Sequence, residues 1–180
     1  MKKLNRDFFA KDTETVAKEL LGKVLCRKKD NKIYRGLIVE TEAYTQDDPA
    51  CHAFGGISRR CESLFKKPGT AYVYLIYGMH HCVNLVTDKE EYGSGVLIRA
   101  LEPLEYVENS NGPAKLCKSM DITKKLDGCD TMQEDSPIWI ESGLIIKDKD
   151  IIQTTRIGIS KAADLRRRFY IKNNKWVSKK

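Results

Sequence analysis

The chain has 180 residues, enough for one domain with a single well-filled core. Its 32 Lys+Arg against 25 Asp+Glu give a formal net charge of +7, which favours an anionic partner, nucleic acid being the commonest. No run approaches the ~20 apolar residues of a membrane span, and the basic start Met1-Lys2-Lys3-Leu4 carries no apolar export segment. The cysteines at 26, 51, 61, 82, 117 and 129 form no Cys-x-x-Cys pair, which excludes a zinc ribbon and a thioredoxin-like motif. The expectation is a monomeric cytoplasmic protein with reduced thiols.

Val16, Ala17, Leu20 and Leu21 fall at helical spacing, so the first predicted element is a helix from Asp12 to Leu21. Asp12 or Thr13 serves as its N-cap and Gly22 as its stop. Val24–Arg27 and Ile33–Tyr44 read as two strands about the turn Asp30-Asn31-Lys32. A long loop, 45–68, holds Asp47-Asp48-Pro49, Gly55-Gly56 and Arg59-Arg60. Loops of that length in compact domains are usually functional or disordered.

Residues 72–84 then read as strand, tight turn and strand, with Gly78 giving the permissive backbone at the tip. Tyr72 and Tyr74 share one face by the period of two. Tyr77 leaves that set and lands at the turn, where it suits a wedge between stacked bases. A strand follows from Gly95 to Leu101, and Pro113 suits the first position of a helix beginning near Asn111. Ile138–Ile140, Leu144–Lys147 and Ile151–Gly158 are predicted as short strands. The remainder, 162–180, reads as a basic tail with Arg166, Arg167 and Arg168 and an apolar patch of Phe169, Tyr170, Trp176 and Val177. Many short strands without regular βαβ alternation predict one α+β domain, residues 1–180, on a curved and mostly antiparallel sheet with a protruding hairpin and flanking helices.

Three places can carry chemistry. In a strand, Glu40, Glu42 and Tyr44 point to one face. Two like charges and an aromatic suit a solvated sheet edge, or a carboxylate facing a cleft and activating water. Periodicity does not decide which glutamate would act. Arg99 interrupts an apolar strand and needs a partner, either Glu102 or a strand glutamate. Arg59, Arg60, Lys66, Lys67 and the three tail arginines can neutralise phosphates or serve only for solubility. His52 lacks companions at metal-ligand spacing, and His80, His81 and Cys82 alternate faces, so no metal site or cofactor is predicted.

Taken in order, several segments carry a resemblance: Glu40-Thr41-Glu42-Ala43-Tyr44, His52, the run from Lys67 to Met79, Asn84, the stretch from Leu97 to Pro103, and Gly112 to Cys117. Together they resemble the alkyladenine (3-methyladenine) DNA glycosylase family, and the correspondence runs from about Leu4 to Ser178. The resemblance implies a monofunctional base-excision enzyme that flips damaged purines out of duplex DNA and hydrolyses the N-glycosidic bond. It implies Glu42 as general base, with Arg99 and the main-chain carbonyl of Ile157 holding the attacking water. It further implies Tyr44, His52 and Tyr74 around the flipped base, Tyr77 in the vacated stack, and Asn84 against the guanine amino group. None of these pocket residues is a lysine, which argues against a Schiff-base lyase step. Residues Ile57 to Cys61 depart from the family's usual Arg and Thr-Pro-Arg-Asn pattern, which puts the phosphate contacts of Arg59, Arg60 and Lys66 on altered ground. Two other readings fit the charge and the aromatics: a non-catalytic base-flipping module, and a small basic RNA-binding domain.

Overall fold

A computed structural model of the chain describes residues 2–179; Met1 and Lys180, the two ends of the expected domain, lie outside the described residues. Two short helices come first, α1 (Arg6–Phe9) and α2 (Thr13–Glu19), followed by strands β1 (Val24–Lys29) and β2 (Lys32–Tyr44). Strands β3 (Ala71–Ile76) and β4 (His80–Val86) form the hairpin, and β5 (Gly95–Glu105) precedes helix α3 (Pro113–Ser119). The last strands are β6 (Ile138–Glu141), β7 (Ile151–Thr154) and β8 (Arg168–Ile171). All eight strands join one antiparallel sheet, in the order β3-β4-β5-β2-β1-β6, with β8 against both β2 and β7.

Strand β2 organises this α+β fold. Along one side it pairs with β5; along the other it pairs first with β1 and then, at Glu40–Glu42, with β8. Three irregularities bend it, one at Arg35–Gly36, where Leu104 is extra on β5, and two close together near the glutamates. Val39 is extra on β2, between the pairs Ile38–Leu101 and Glu40–Ala100, and Arg99 is extra on β5, between Ala100–Glu40 and Ile98–Thr41. Such bulges sharpen local twist and re-aim side chains, so the sheet curls around a core containing Phe9, Leu20, Ile38, Val83 and Ile98. Helix α2, capped by Asp12 accepting from the Thr15 amide, buries Val16 and Ala17 there. Helix α3, with Pro113 at its first turn, adds Leu116 and Cys117.

Turn chemistry matches the sequence at two places. Asp30 and Asn31 both have positive φ (47° and 59°), the arrangement of a tight two-residue hairpin turn. At the other hairpin not only Gly78 (φ 69°) but also Tyr77 (φ 52°) is left-handed, an unfavourable state for a bulky side chain.

Three predicted elements need correction. Leu144–Lys147 is not a strand: the Leu144 amide donates to the Gly22 carbonyl, and Ile145 stands in solvent. The strand predicted over Ile151–Gly158 ends at Thr154, because beyond it the backbone turns to a side chain and leaves its neighbour strand. The basic tail contains β8, whose strand pattern is hidden by the run Arg166 to Arg168 at its start. Within it Arg168 is buried, donating to Glu40 Oε1 (2.8 Å), the Thr155 carbonyl (2.8 Å) and the Lys179 carbonyl (2.8 Å). Arg167 is drawn inward too, to Glu14 and Asp48, so these two arginines hold the fold together and are not free for phosphates.

The Arg168–Glu40 pair yields a stability prediction. Arg168→Met strands a fully buried carboxylate and should cost about 3–5 kcal/mol in urea denaturation. Combining it with Glu40→Gln removes the stranded charge and should recover part of that loss.

Candidate active site

The glutamate pair is not a solvated edge. Glu40 and Glu42 are both completely buried, on a stretch of β2 that has strands on both sides and is therefore not an edge. Glu40 accepts from Arg168 and, through Oε2, from the Ser178 amide at 2.7 Å. Glu42 accepts from the Ile157 amide on Oε1 (2.9 Å) and from the Tyr44 hydroxyl on Oε2 (2.7 Å). The bulge places Arg99 between them, with Nη1 3.1 Å from Glu42 Oε2 and Nε 3.5 Å from Glu40 Oε1. Its expected partner is thus the glutamate pair, and Glu102 instead accepts from Asn174. The buried Nε–H of Arg99 has no hydrogen-bond partner among the described residues. The Ile157 contact is made by the amide N–H, where the resemblance implies a role for the carbonyl.

Tyr44 connects this ionic group to a cavity of about 130 Å³, bordered by Tyr44, His52, Tyr72, Tyr74, Asn84 and Gly158 among others. A cavity of about 150 Å³ holds a benzene, so the space, which is open on one side, is of the right order for one flat ring system. Tyr72 and Tyr74 stack obliquely with centroids 5.4 Å apart, and His52 meets Tyr74 edge-on at 4.6 Å. His52 Nδ1 and the Tyr72 hydroxyl share a 2.8 Å hydrogen bond, a partner for His52 that strand periodicity could not reveal. Asn84 is no turn residue. It sits on β4 opposite Tyr72 and donates to the Tyr72 carbonyl at 3.2 Å.

The cavity wall is uncharged. Burial, and then the nearby Arg60 charge, push the His52 imidazole down to about 4. Burial first, and then the Glu42 carboxylate, raise the Tyr44 hydroxyl, while burial first raises those of Tyr72 and Tyr74. All four groups are therefore neutral at physiological pH.

The remaining predicted residues lie outside the cavity. Tyr77 projects from the hairpin tip, 86% exposed. Arg59 and Arg60 are exposed and, with Tyr74, Leu75 and Lys124, border an open groove that shares Tyr74 with the cavity. Lys66 is exposed beside Gly128. Among the described residues no group of three or more His, Cys, Asp and Glu side chains could hold a metal ion, and no helix is long and apolar enough to cross a membrane. The six cysteines are all free thiols.

Sequence reasoning missed a second buried pair. Asp48, in the long loop, is gripped by both terminal nitrogens of Arg156, the Nη2–Oδ1 contact being 3.1 Å. Burial favours the protonated acid, but the hydrogen bonds from Arg156 and the Ala50 amide outweigh it and hold Asp48 below the usual carboxylate range. The available signal was faint: an arginine directly before Ile157.

Comparison with known proteins decides the family. The model of the methylpurine-DNA glycosylase family matches residues 7–175. The chain belongs to that family. A relative from Clostridium perfringens strain 13, named "Putative 3-methyladenine DNA glycosylase", is 45% identical over 204 residues, covering 99% of this chain and 100% of the relative. One of the same name from Carboxydothermus hydrogenoformans is 46% identical over 190 residues, covering 98% and 99%. A third, from Francisella tularensis subsp. tularensis, is 44% identical over 182 residues, covering 93% and 94%.

The depressed His52 has a measurable consequence. Between about 6.5 and about 4 the unfolded chain binds a proton at this position that the folded protein does not, so stability falls as pH falls through that window. Urea denaturation at stepped pH should show a shallower decline for His52→Gln than for wild type, and the wild-type imidazole should remain uncharged in NMR titration at pH 5.5.

Proposed function

We propose that this member of the family is a monofunctional DNA glycosylase acting on alkylated or deaminated purines in duplex DNA. The observation that carries the reading is one link: Tyr44 walls an uncharged, aromatic cavity of the size of one ring system and donates to the buried carboxylate of Glu42, which the Ile157 amide and Arg99 also hold.

In this reading Glu42 is the general base. A carboxylate offers about four lone-pair sites. Oε2 is engaged by Tyr44 and Arg99, whereas Oε1 takes one donor, Ile157, whose neighbours Gly158 and Ile159 border the cavity. A water accepted there lies on the Ile157 side of the carboxylate, toward the cavity-lining Gly158 and Ile159, while Arg99 holds the carboxylate from the other oxygen through Nη1. The water oxygen bonds to the sugar C1′ and Glu42 takes its proton. The C1′–N bond breaks, and its electron pair leaves with the base, so the products are free base and an abasic site. The transition state is oxocarbenium-like, which a neighbouring carboxylate stabilises. A cationic alkylated purine leaves readily and is attracted to the faces of the aromatic walls.

Placement supports the other assignments of this reading. Tyr44, Tyr74 and His52 surround the flipped base, and the neutral imidazole suits it, because a charged one would repel an alkylated cationic purine. Asn84, fixed by the Tyr72 carbonyl, crowds the edge where guanine carries its amino group. Tyr77, held out by the hairpin in a left-handed conformation that its surroundings do not reward, fills the vacated stack; strain of this kind concentrates at working sites. Arg59 and Arg60 in the open groove, and Lys66, neutralise backbone phosphates.

The deciding experiment is release of free base from duplexes with one defined lesion. Glu42→Gln should abolish release while lesion-DNA binding stays near wild type, since the amide keeps the shape and loses the basicity. Near-normal release would remove the assignment.

Tyr77→Ala should weaken the flipped state by about 1–3 kcal/mol, read as loss of the signal from a 2-aminopurine beside the lesion. An unchanged signal would leave the tyrosine without a part in flipping.

A further inference from the structure

We propose that Arg156 is a positioning residue for base excision, one guanidinium setting both hydrogen bonds that hold Glu42. The inference rests on the reading of Glu42 as general base and adds a residue that touches neither the cavity nor the carboxylate.

Among the described residues Glu42 accepts two hydrogen bonds, from the Tyr44 hydroxyl and the Ile157 amide. Both donors are tied to Arg156. Its guanidinium lies over the Tyr44 ring at 4.6 Å from the centroid, fixing the plane and hence the direction of the hydroxyl. Ile157 is the next residue in the chain, so the orientation of its amide follows from where the Arg156 backbone is anchored.

That anchor uses both terminal nitrogens of the guanidinium. The side chains of Arg156 and Asp48 are both wholly buried and make two contacts to each other. The same guanidinium donates to the Ala43 carbonyl at 3.1 Å, between Glu42 and Tyr44 on β2, and to the Ala162 carbonyl at 3.2 Å. It therefore clamps the end of β2, the long loop and the 155–162 segment around one flat ion. A lysine keeps the charge and lacks the planar fork and the stacking face. A purely structural clamp would alter stability and DNA binding together. A positioning clamp alters the chemical step and does so through Tyr44.

The test uses single-turnover base release and lesion-DNA affinity for Arg156→Lys, Tyr44→Phe and the double variant. Arg156→Lys should slow release on the order of 10- to 100-fold, the scale of a misplaced catalytic group, with affinity changed less than about threefold. Tyr44→Phe, which keeps the ring and removes the donor, should cost clearly less in the Arg156→Lys background than alone, the mark of a shared interaction. If Arg156→Lys does not fold by circular dichroism, Asp48→Asn carries the same comparison, loosening the anchor with the arginine retained. A wild-type release rate, a loss of affinity as large as the loss of rate, or strict additivity with Tyr44→Phe would overturn the proposal. Glu42→Gln is measured beside them: if it still releases base, the assignment of Glu42 has failed; if it is inactive while the Arg156 comparison comes out null, the positioning role alone has failed.

Discussion

Four charges in a row, Arg168, Glu40, Arg99 and Glu42, lie in the interior, and much of the molecule is arranged to make that possible. Burying a charge costs several kcal/mol unless it is paired with good geometry. Two glutamates on neighbouring positions of one strand face double the difficulty, because each also repels the other. The solution is alternation of sign. Arg99 is inserted between the carboxylates by a bulge, and Arg168 closes the far end from β8. The Ser178 and Ile157 amides complete the two carboxylates. Strand β8 and the segment after it thus have an electrostatic reason to lie against the middle of β2, in addition to the apolar burial of Phe169 and Val177.

The cavity follows a different rule. It meets the ionic row only through Tyr44 and has no charged wall at neutral pH: the imidazole is kept deprotonated and the phenols protonated, chiefly by burial. Separation of a neutral aromatic chamber from a buried ionic row suits the proposed reaction, in which a base is held by its faces while charge develops on the sugar. Tyr44 belongs to both parts, as a wall of the chamber and as a donor to Glu42. Its outer face is covered by Arg156, so the same ring transmits the geometry of the buried Asp48–Arg156 pair to the carboxylate.

The hairpin tip lies apart from the cavity and the ionic row. Tyr77, Met79 and Leu75 are exposed there, and a bulky residue occupies a backbone region that glycine prefers. No apolar burial repays that arrangement in the free protein. A stacked duplex would, which is why the tip belongs to the proposed DNA surface together with the arginines of the adjoining groove.

Local chemistry was legible in the sequence by itself. The Asp12 cap, the Asp30-Asn31 turn, the hairpin about Gly78, the α+β class and the aromatic face of Tyr72 and Tyr74 all depend on neighbours within a few residues. The order of motifs from Glu40 to Cys117 also sufficed to point to the family. Tertiary structure decided what long-range pairing controls. That Glu40 and Glu42 are interior depends on β8, more than a hundred residues later, which three consecutive arginines disguised as a soluble tail. Whether an arginine faces water or a buried carboxylate is a question of which strand lies opposite, and strand periodicity is blind to it. The Asp48–Arg156 pair joins two loops, where no periodicity exists at all. The neutral state of His52 arises from burial against Tyr72 and Tyr74 and from a charge at Arg60, a strand and a loop that only the folded chain presses together.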